Sequence, residues 1–192
     1  MDRARGRFPA MAKDALMTFF ETIQARQSIR EFLNRAVEED KLQRIVSAMS
    51  QAPSAGNCQA YQVLIVRDLS LRKVLAEAAL GQKFVIQAPV VLVFCAALER
   101  ATRHGERGRS LYALQDATTA AAYTQLAATA VGLGTCWVGA FDERAVVQGL
   151  QLNSDLRPIV LLPLGYSGAT PPPTPRRPLA ELVQEIRPPA AV

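Results

Sequence analysis

Apolar residues recur along this chain in three rhythms, and each predicts its own kind of element. Leu42, Ile45, Val46 and Met49 stand at i, i+3, i+4 and i+7, the stripe of an amphipathic helix from Glu38 to about Gln51. Glu38, Glu39 and Asp40 occupy its first turn, where negative charge is favoured, and Ala52-Pro53 stops it. Val90 to Phe94 is an unbroken apolar run of strand length, the mark of a strand buried on both faces. Tyr61 to Arg67, rich in β-branched and aromatic residues, predicts another strand, and Leu69 to Ala79 a helix. Asp116 to Val131 is apolar around most of its circumference, which predicts a core helix. Gly132-Leu133-Gly134 follows, with glycine placed to take the left-handed conformation that closes a helix.

The remaining segments are shorter. Thr18 and Glu21 have capping-box spacing before a helix to about Ala25. Thr135 to Ala140 predicts a short strand, Glu143 to Leu150 a helix, and Arg157 to Tyr166 a strand whose Pro163 argues for an edge or a bulge. Arg100 to Arg109 reads as a polar, glycine-punctuated loop. Five prolines between Pro171 and Pro178 force an extended connection, after which Leu179, Leu182, Val183 and Ile186 return to helical spacing. A tail that reaches out and ends in an amphipathic helix has to dock on something, and a dimer suits it. Helices and strands interleave irregularly, so the fold class is α+β. Residues 1–16 read as a mobile basic extension, 17–187 as one domain and 188–192 as a short tail.

At 192 residues and 49% apolar content the chain is long enough for one substantial core. Its net charge of +5 suits nucleic acid, acidic lipid or phosphorylated small molecules. However, many arginines sit at the two ends (Arg3, Arg5, Arg7, then Arg176, Arg177, Arg187), which gives a general nucleic-acid surface little support. Cys58, Cys95 and Cys136 are widely spaced and His104 stands alone, so a structural zinc site lacks candidates and a reducing cytoplasm fits. The apolar run around Ala88 to Leu98 is about half the ~20 residues that a membrane-crossing helix needs. One isolated histidine provides no Ser-His-Asp or Cys-His nucleophile.

Two stretches carry the candidate chemistry. Arg26-Gln27-Ser28-Ile29-Arg30 places two guanidiniums and a hydroxyl within five residues at the end of a short helix, an anion site in outline. Ala52-Pro53-Ser54-Ala55-Gly56-Asn57-Cys58-Gln59 is turn-rich and offers backbone N–H groups and an amide to a flat, polar-edged ligand. Together they point to a phosphorylated aromatic cofactor. Arg176 or Arg177 could add a late guanidinium.

These two stretches, with Gly132-Leu133-Gly134-Thr135-Cys136-Trp137-Val138-Gly139 in the same order, resemble the FMN-dependent nitroreductase family over about Met17 to Ile186. The resemblance implies a mostly antiparallel sheet flanked by helices, with the C-terminal tail exchanged in a homodimer that holds two FMN sites at its interface. It assigns Arg26, Gln27, Ser28 and Arg30 to phosphate and ribityl, and Pro53, Ser54 and Asn57 to the flavin of the partner subunit. Trp137, Val138 and Gly139 match the stretch against the ring, and Arg176 best matches the late phosphate-binding arginine. No side chain is implied as catalytic, because flavin N5 carries the hydride. The implied activity is a ping-pong transfer of two electrons from NADH or NADPH to a nitroaromatic, a quinone or a related small-molecule acceptor. The alternative is a non-catalytic FMN-storage protein or a basic nucleic-acid-binding protein. Gln27 stands where the family commonly has a second arginine, and Ala60-Tyr61 replaces a frequent Pro-Trp.

Overall fold

The computed structural model describes residues 17–188, so the expected basic extension over 1–16 and most of the tail after Arg187 lie outside the described residues. Thr18 caps the first helix, α1 (Phe19–Ala25). Its side chain accepts from the Glu21 N–H, and the Glu21 carboxylate accepts from the Thr18 N–H at 2.7 Å, the expected box. α2 (Glu39–Met49) buries Leu42, Ile45 and Met49, the stripe that predicts it. β1 (Tyr61–Val66), α3 (Leu69–Ala78), α4 (Lys83–Gln87) and β2 (Val90–Ala97) follow.

Among the described residues the sheet has four strands in the order β1-β2-β4-β3, paired antiparallel. β2 is buried along its whole length, and its two faces feed two different cores. Val90, Leu92, Phe94 and Ala96 pack with Leu42 and Ile45 of α2 and with the alanines of the long helix α6 (Ala113–Ala130, described below). Val91, Val93, Cys95 and Ala97 pack with Leu75 of α3, Phe84 and Val85 of α4, and Val146. The alternation of side chains along one strand therefore builds a three-layer molecule.

Between β2 and α6 the structure departs from the expected polar loop. Leu98–His104 is a 3₁₀ helix, Gly105–Arg107 (α5) a single α-turn and Gly108–Tyr112 a wider π-helical turn that runs directly into α6. Its polar residues face solvent while Ala101 and Gly108 are buried, so the segment is an amphipathic helical arm that composition alone disguised as a loop. α6 ends as predicted: Gly132 adopts φ +78°, and the Leu133 N–H reaches back to the Ala128 carbonyl at 2.8 Å.

The strand expected over Thr135 to Ala140 shrinks to β3 (Gly134–Thr135), with one further bridge from Val138 to Leu161. α7 (Glu143–Gly149) and β4 (Leu156–Gly165) complete the order, and β4 lies inside the sheet, not at its edge. The irregular register falls at Phe94/Cys95, opposite Ile159, away from Pro163. Pro163 is tolerated because its carbonyl, and so its missing N–H, faces the side where two-residue β3 has already ended. There it accepts only from the Cys136 N–H at 3.3 Å. The C-terminal helix is a single turn, α8 (Leu179–Leu182), and Leu179, Leu182, Val183 and Ile186 are all exposed.

Candidate cofactor site

Arg26 ends α1, its N–H still bonded to the Thr22 carbonyl at 3.0 Å, and its extended backbone turns the chain onto the rim of the sheet. Ser28 pairs in parallel with Thr135, Ile29 donates to the Thr135 carbonyl at 2.9 Å, and Phe32 bridges Ser167. The Arg26–Arg30 stretch is thus held as an added strand beside β3. Its close approach depends on Gly134, where a Cβ would stand 2.5 Å from Ile29 Cγ1. Gly132 ends the helix while Gly134 makes room for this stretch, so the two glycines of one short motif have separate tasks.

Through the Ser28–Thr135 bridge this stretch runs beside Cys136. Burial pushes that thiol up, and the positive charge of Arg30, a hydrogen bond with Ser28 and the charge of Arg26 pull it partly back. A cleft of about 200 Å³ opens here, lined by Ser28, Arg30, Glu31, Ala169 and Pro171. Gln27 lines a neighbouring cleft of about 170 Å³ with Ile29, Thr129, Gly132 and Gly134. Its Oε1 is buried and meets no donor among the described residues. Arg30 and Ser28 give the first cleft a guanidinium and a hydroxyl that suit a phosphate, Arg26 lines neither cleft, and the orphaned Gln27 acceptor suits a sugar-alcohol hydroxyl. The donor set therefore fits the phosphate and ribityl of FMN. Trp137 is half-exposed, Val138 buried and Gly139 open to solvent immediately beyond.

The second stretch is built by a residue that the motifs did not single out. Asp116, on the first turn of α6 and 2% exposed, accepts from the Ala55 N–H at 2.9 Å and the Ala60 N–H at 3.0 Å. It clamps both ends of the turn that carries Gly56, Asn57 and Gln59, all with positive φ. A lone carboxylate opening an apolar helix was the available signal. Inside the turn the Ser54 hydroxyl accepts from the Gln59 N–H at 3.0 Å, and Asn57 is exposed. Pro53 and Ser54 line a cavity of about 410 Å³ with Tyr112, Gln115, Asp116 and Thr119.

Within the chain the two stretches do not meet. One is held by the start of α6 at Asp116, the other lies against its end at Thr129. Thirteen residues at 1.5 Å each put these helix positions about 20 Å apart. Arg176 is exposed in the proline-rich tail, and its neighbour Arg177 pairs with Glu181 at 3.2 Å.

An antiparallel sheet between helical layers, with Arg26, Ser28 and Arg30 carried along its rim, defines an α+β protein. The sequence profile of the Nitroreductase family matches residues 23–86 and 76–166, and the chain belongs to that family. It is 32% identical over 186 residues to a protein of Thermus thermophilus named NADH dehydrogenase, covering 82% of this chain and 91% of that one. It is 29% identical over 171 residues to the oxygen-insensitive NADPH nitroreductase of Salmonella typhimurium, covering 85% and 71%. The structure of the NADPH:FMN oxidoreductase of Vibrio harveyi complexed with NAD+ superposes with a TM-score of 0.82 at 28% identity, covering 88% of this chain and 77% of that one.

Proposed function

We propose that the chain is an FMN-dependent oxidoreductase that takes two electrons from NADH or NADPH and delivers them to an electron-poor small molecule, such as a nitroaromatic or a quinone. It works in a ping-pong cycle, as a cytoplasmic homodimer whose residues 17–187 form one FMN-binding domain. The observation that carries this reading is the separation of the two motifs at opposite ends of α6. A two-fold axis passing the middle of that helix, beside exposed Ala122 and Tyr123, sets the Asp116 end of one copy against the Thr129 end of the other. Each dimer then completes the site twice. Phe19 and Phe20 on α1 are 64% and 74% exposed, an apolar surface that a partner would cover, and the exposed tail leucines point the same way.

FMN, when bound, supplies the redox chemistry itself. Arg26 and Ser28 hold the phosphate, with Arg176 added by the tail, and the Gln27 carbonyl accepts from the ribityl chain. Arg30 stabilises the negative charge that reduction adds. Pro53, Ser54 and Asn57 reach the ring from the partner copy, Asn57 offering a donor and an acceptor to its pyrimidine edge. Trp137, Val138 and Gly139 lie along the ring, where the absence of a side chain on Gly139 leaves room for donor and acceptor in turn.

The nucleic-acid alternative loses ground at the described end of the chain, because Arg177 and Arg187 are each paired with a glutamate. The test is the anaerobic visible spectrum of FMN-reconstituted protein, with its mass in solution. Bleaching of the flavin band by NADH or NADPH, recovery on adding a quinone, and a dimer mass are expected. A monomer that retains FMN would overturn the shared site. Arg26→Ala should release FMN while the far-UV circular dichroism is unchanged, and undiminished FMN affinity would overturn the phosphate assignment.

A further inference from the structure

The helical arm between β2 and α6 has a charge pattern that the proposed cofactor site does not use. It carries Arg100, Arg103, Arg107 and Arg109 against Glu99 and Glu106. Two of these arginines are occupied within the fold: Arg109 is paired with Glu99 at 2.6 Å, and Arg100 donates to the Tyr61 carbonyl at 2.6 Å. Arg103 and Arg107 meet no carboxylate in any ion pair among the described residues. Arg103 Nε instead donates to His104 Nε2 at 3.3 Å, and Arg107 Nε donates to the Tyr112 hydroxyl at 3.1 Å. His104 stands edge-on to Tyr112 with ring centres 5.4 Å apart. The four side chains form one continuous cluster that contains no carboxylate.

This cluster sits on the cofactor turn. A Cβ at Gly56 would collide with the Arg103 guanidinium and stand 2.9 Å from His104 Nε2, so these groups lie directly over the backbone between Ser54 and Asn57. Tyr112 forms part of the wall of the cavity that Pro53 and Ser54 line. Two guanidiniums without a carboxylate partner, beside an aromatic ring at the rim of the cavity that Pro53 and Ser54 line, suit a phosphate carried by a nucleotide. The flavin phosphate has its own arginines at the other end of α6. The donor phosphate that differs between the two pyridine nucleotides is the 2′-phosphate of NADPH.

We infer that Arg103 and Arg107, aligned by His104 and Tyr112, bind the 2′-phosphate and make NADPH the preferred electron donor. The inference rests on the FMN oxidoreductase reading, and family membership leaves it open, since the relatives above include proteins named for each nucleotide. The test has two arms, with Arg103→Gln/Arg107→Gln beside the parent, both loaded with FMN. Calorimetric titration with adenosine 2′,5′-bisphosphate and with 5′-AMP reads the 2′-phosphate without turnover. The parent should bind the bisphosphate about tenfold tighter or better, and the double variant should lose that margin. In turnover, kcat/KM should favour NADPH over NADH by about the same factor, and the ratio should fall towards unity through KM for NADPH. Equal affinity of the parent for the two nucleotides would overturn the inference. So would an unchanged donor ratio in the variant, or a variant that loses only the reduction of an anionic acceptor such as 4-nitrobenzoate. Failure of both donors to bleach the flavin would instead count against the FMN oxidoreductase reading, while the bisphosphate titration still decides the role of the arginines.

Discussion

Gly132→Ala and Gly134→Ala form a matched pair that separates helix closure from assembly of the phosphate site. At Gly134 the new methyl would sit 2.5 Å from Ile29 Cγ1 and 3.0 Å from Ile29 Cβ, against a side chain only 8% exposed. Carbon atoms prefer about 3.5–4.0 Å, so the Arg26–Arg30 strand has to retreat by about 1 Å. That retreat strains the Ile29–Thr135 hydrogen bond, now 2.9 Å long. Overpacking of this kind costs about 1–3 kcal/mol, and in a chain of this size each kcal/mol lowers Tm by about 2–4 °C. Because Arg26, Ser28 and Arg30 move with the strand, FMN affinity should fall by about tenfold or more. Gly132→Ala meets nothing within 4 Å and suffers only from its φ of +78°. It should cost about 1–2 kcal/mol of stability with FMN affinity intact. Thermal unfolding followed by circular dichroism reads the stabilities, and quenching of FMN fluorescence at fixed protein concentration reads the affinities. If both variants lose stability and both keep FMN, the strand beside β3 does not carry the phosphate site.

Asp116→Ala removes the shared acceptor of the Ala55 and Ala60 amides and should cost about 2–4 kcal/mol, read by denaturation. Hydrogen exchange at those two amides should accelerate, and protection equal to the parent would contradict the clamp. The carboxyl of Glu38, held by the Tyr166 hydroxyl, its own backbone and Arg35, is lowered to about 2. A carboxylate lowered in the fold stabilises it above its ordinary value of 4.5, and that stabilisation is lost as pH falls towards about 2. Tyr166→Phe should therefore raise the Glu38 midpoint and weaken acid tolerance in that window. An NMR titration that leaves the midpoint in place would refute the link. Burial pushes Cys95 up to about 12 and raises Cys136, while Cys58 is only half-buried. Iodoacetamide at neutral pH should label Cys58 first, and equally fast labelling of Cys136 would show that this thiol is open to solvent.

Local periodicity revealed most of the framework. Leu42, Ile45 and Met49 lie inward and all of β2 is buried, because one stripe and one apolar run each admit a single way of meeting a core. Tertiary context decided the rest. A proline such as Pro163 signals a missing donor, but the two-residue partner strand has already ended where that donor would have been needed. The arm before α6 looked like a loop because arginine and glycine dominate it, yet buried Ala101 and Gly108 seat its helical turns. The order of the three motifs marked the candidate cofactor residues. It could not reveal Asp116 as the clamp, since its role depends on two backbone amides some sixty residues away. Nor could it tell that α6 would hold the two motifs apart.

That separation along α6 gives the protein a genetics of its own. If every site borrows one end of the helix from each copy, damage to Arg26 and damage to Asn57 are lesions in different halves of the same site. Two inactive proteins, one carrying each change, would then exchange subunits and recover activity. In a mixed dimer one site receives both lesions and the other receives neither. Random exchange makes half of the dimers mixed, each with one sound site of two, so about a quarter of all sites return to work from parents that have none.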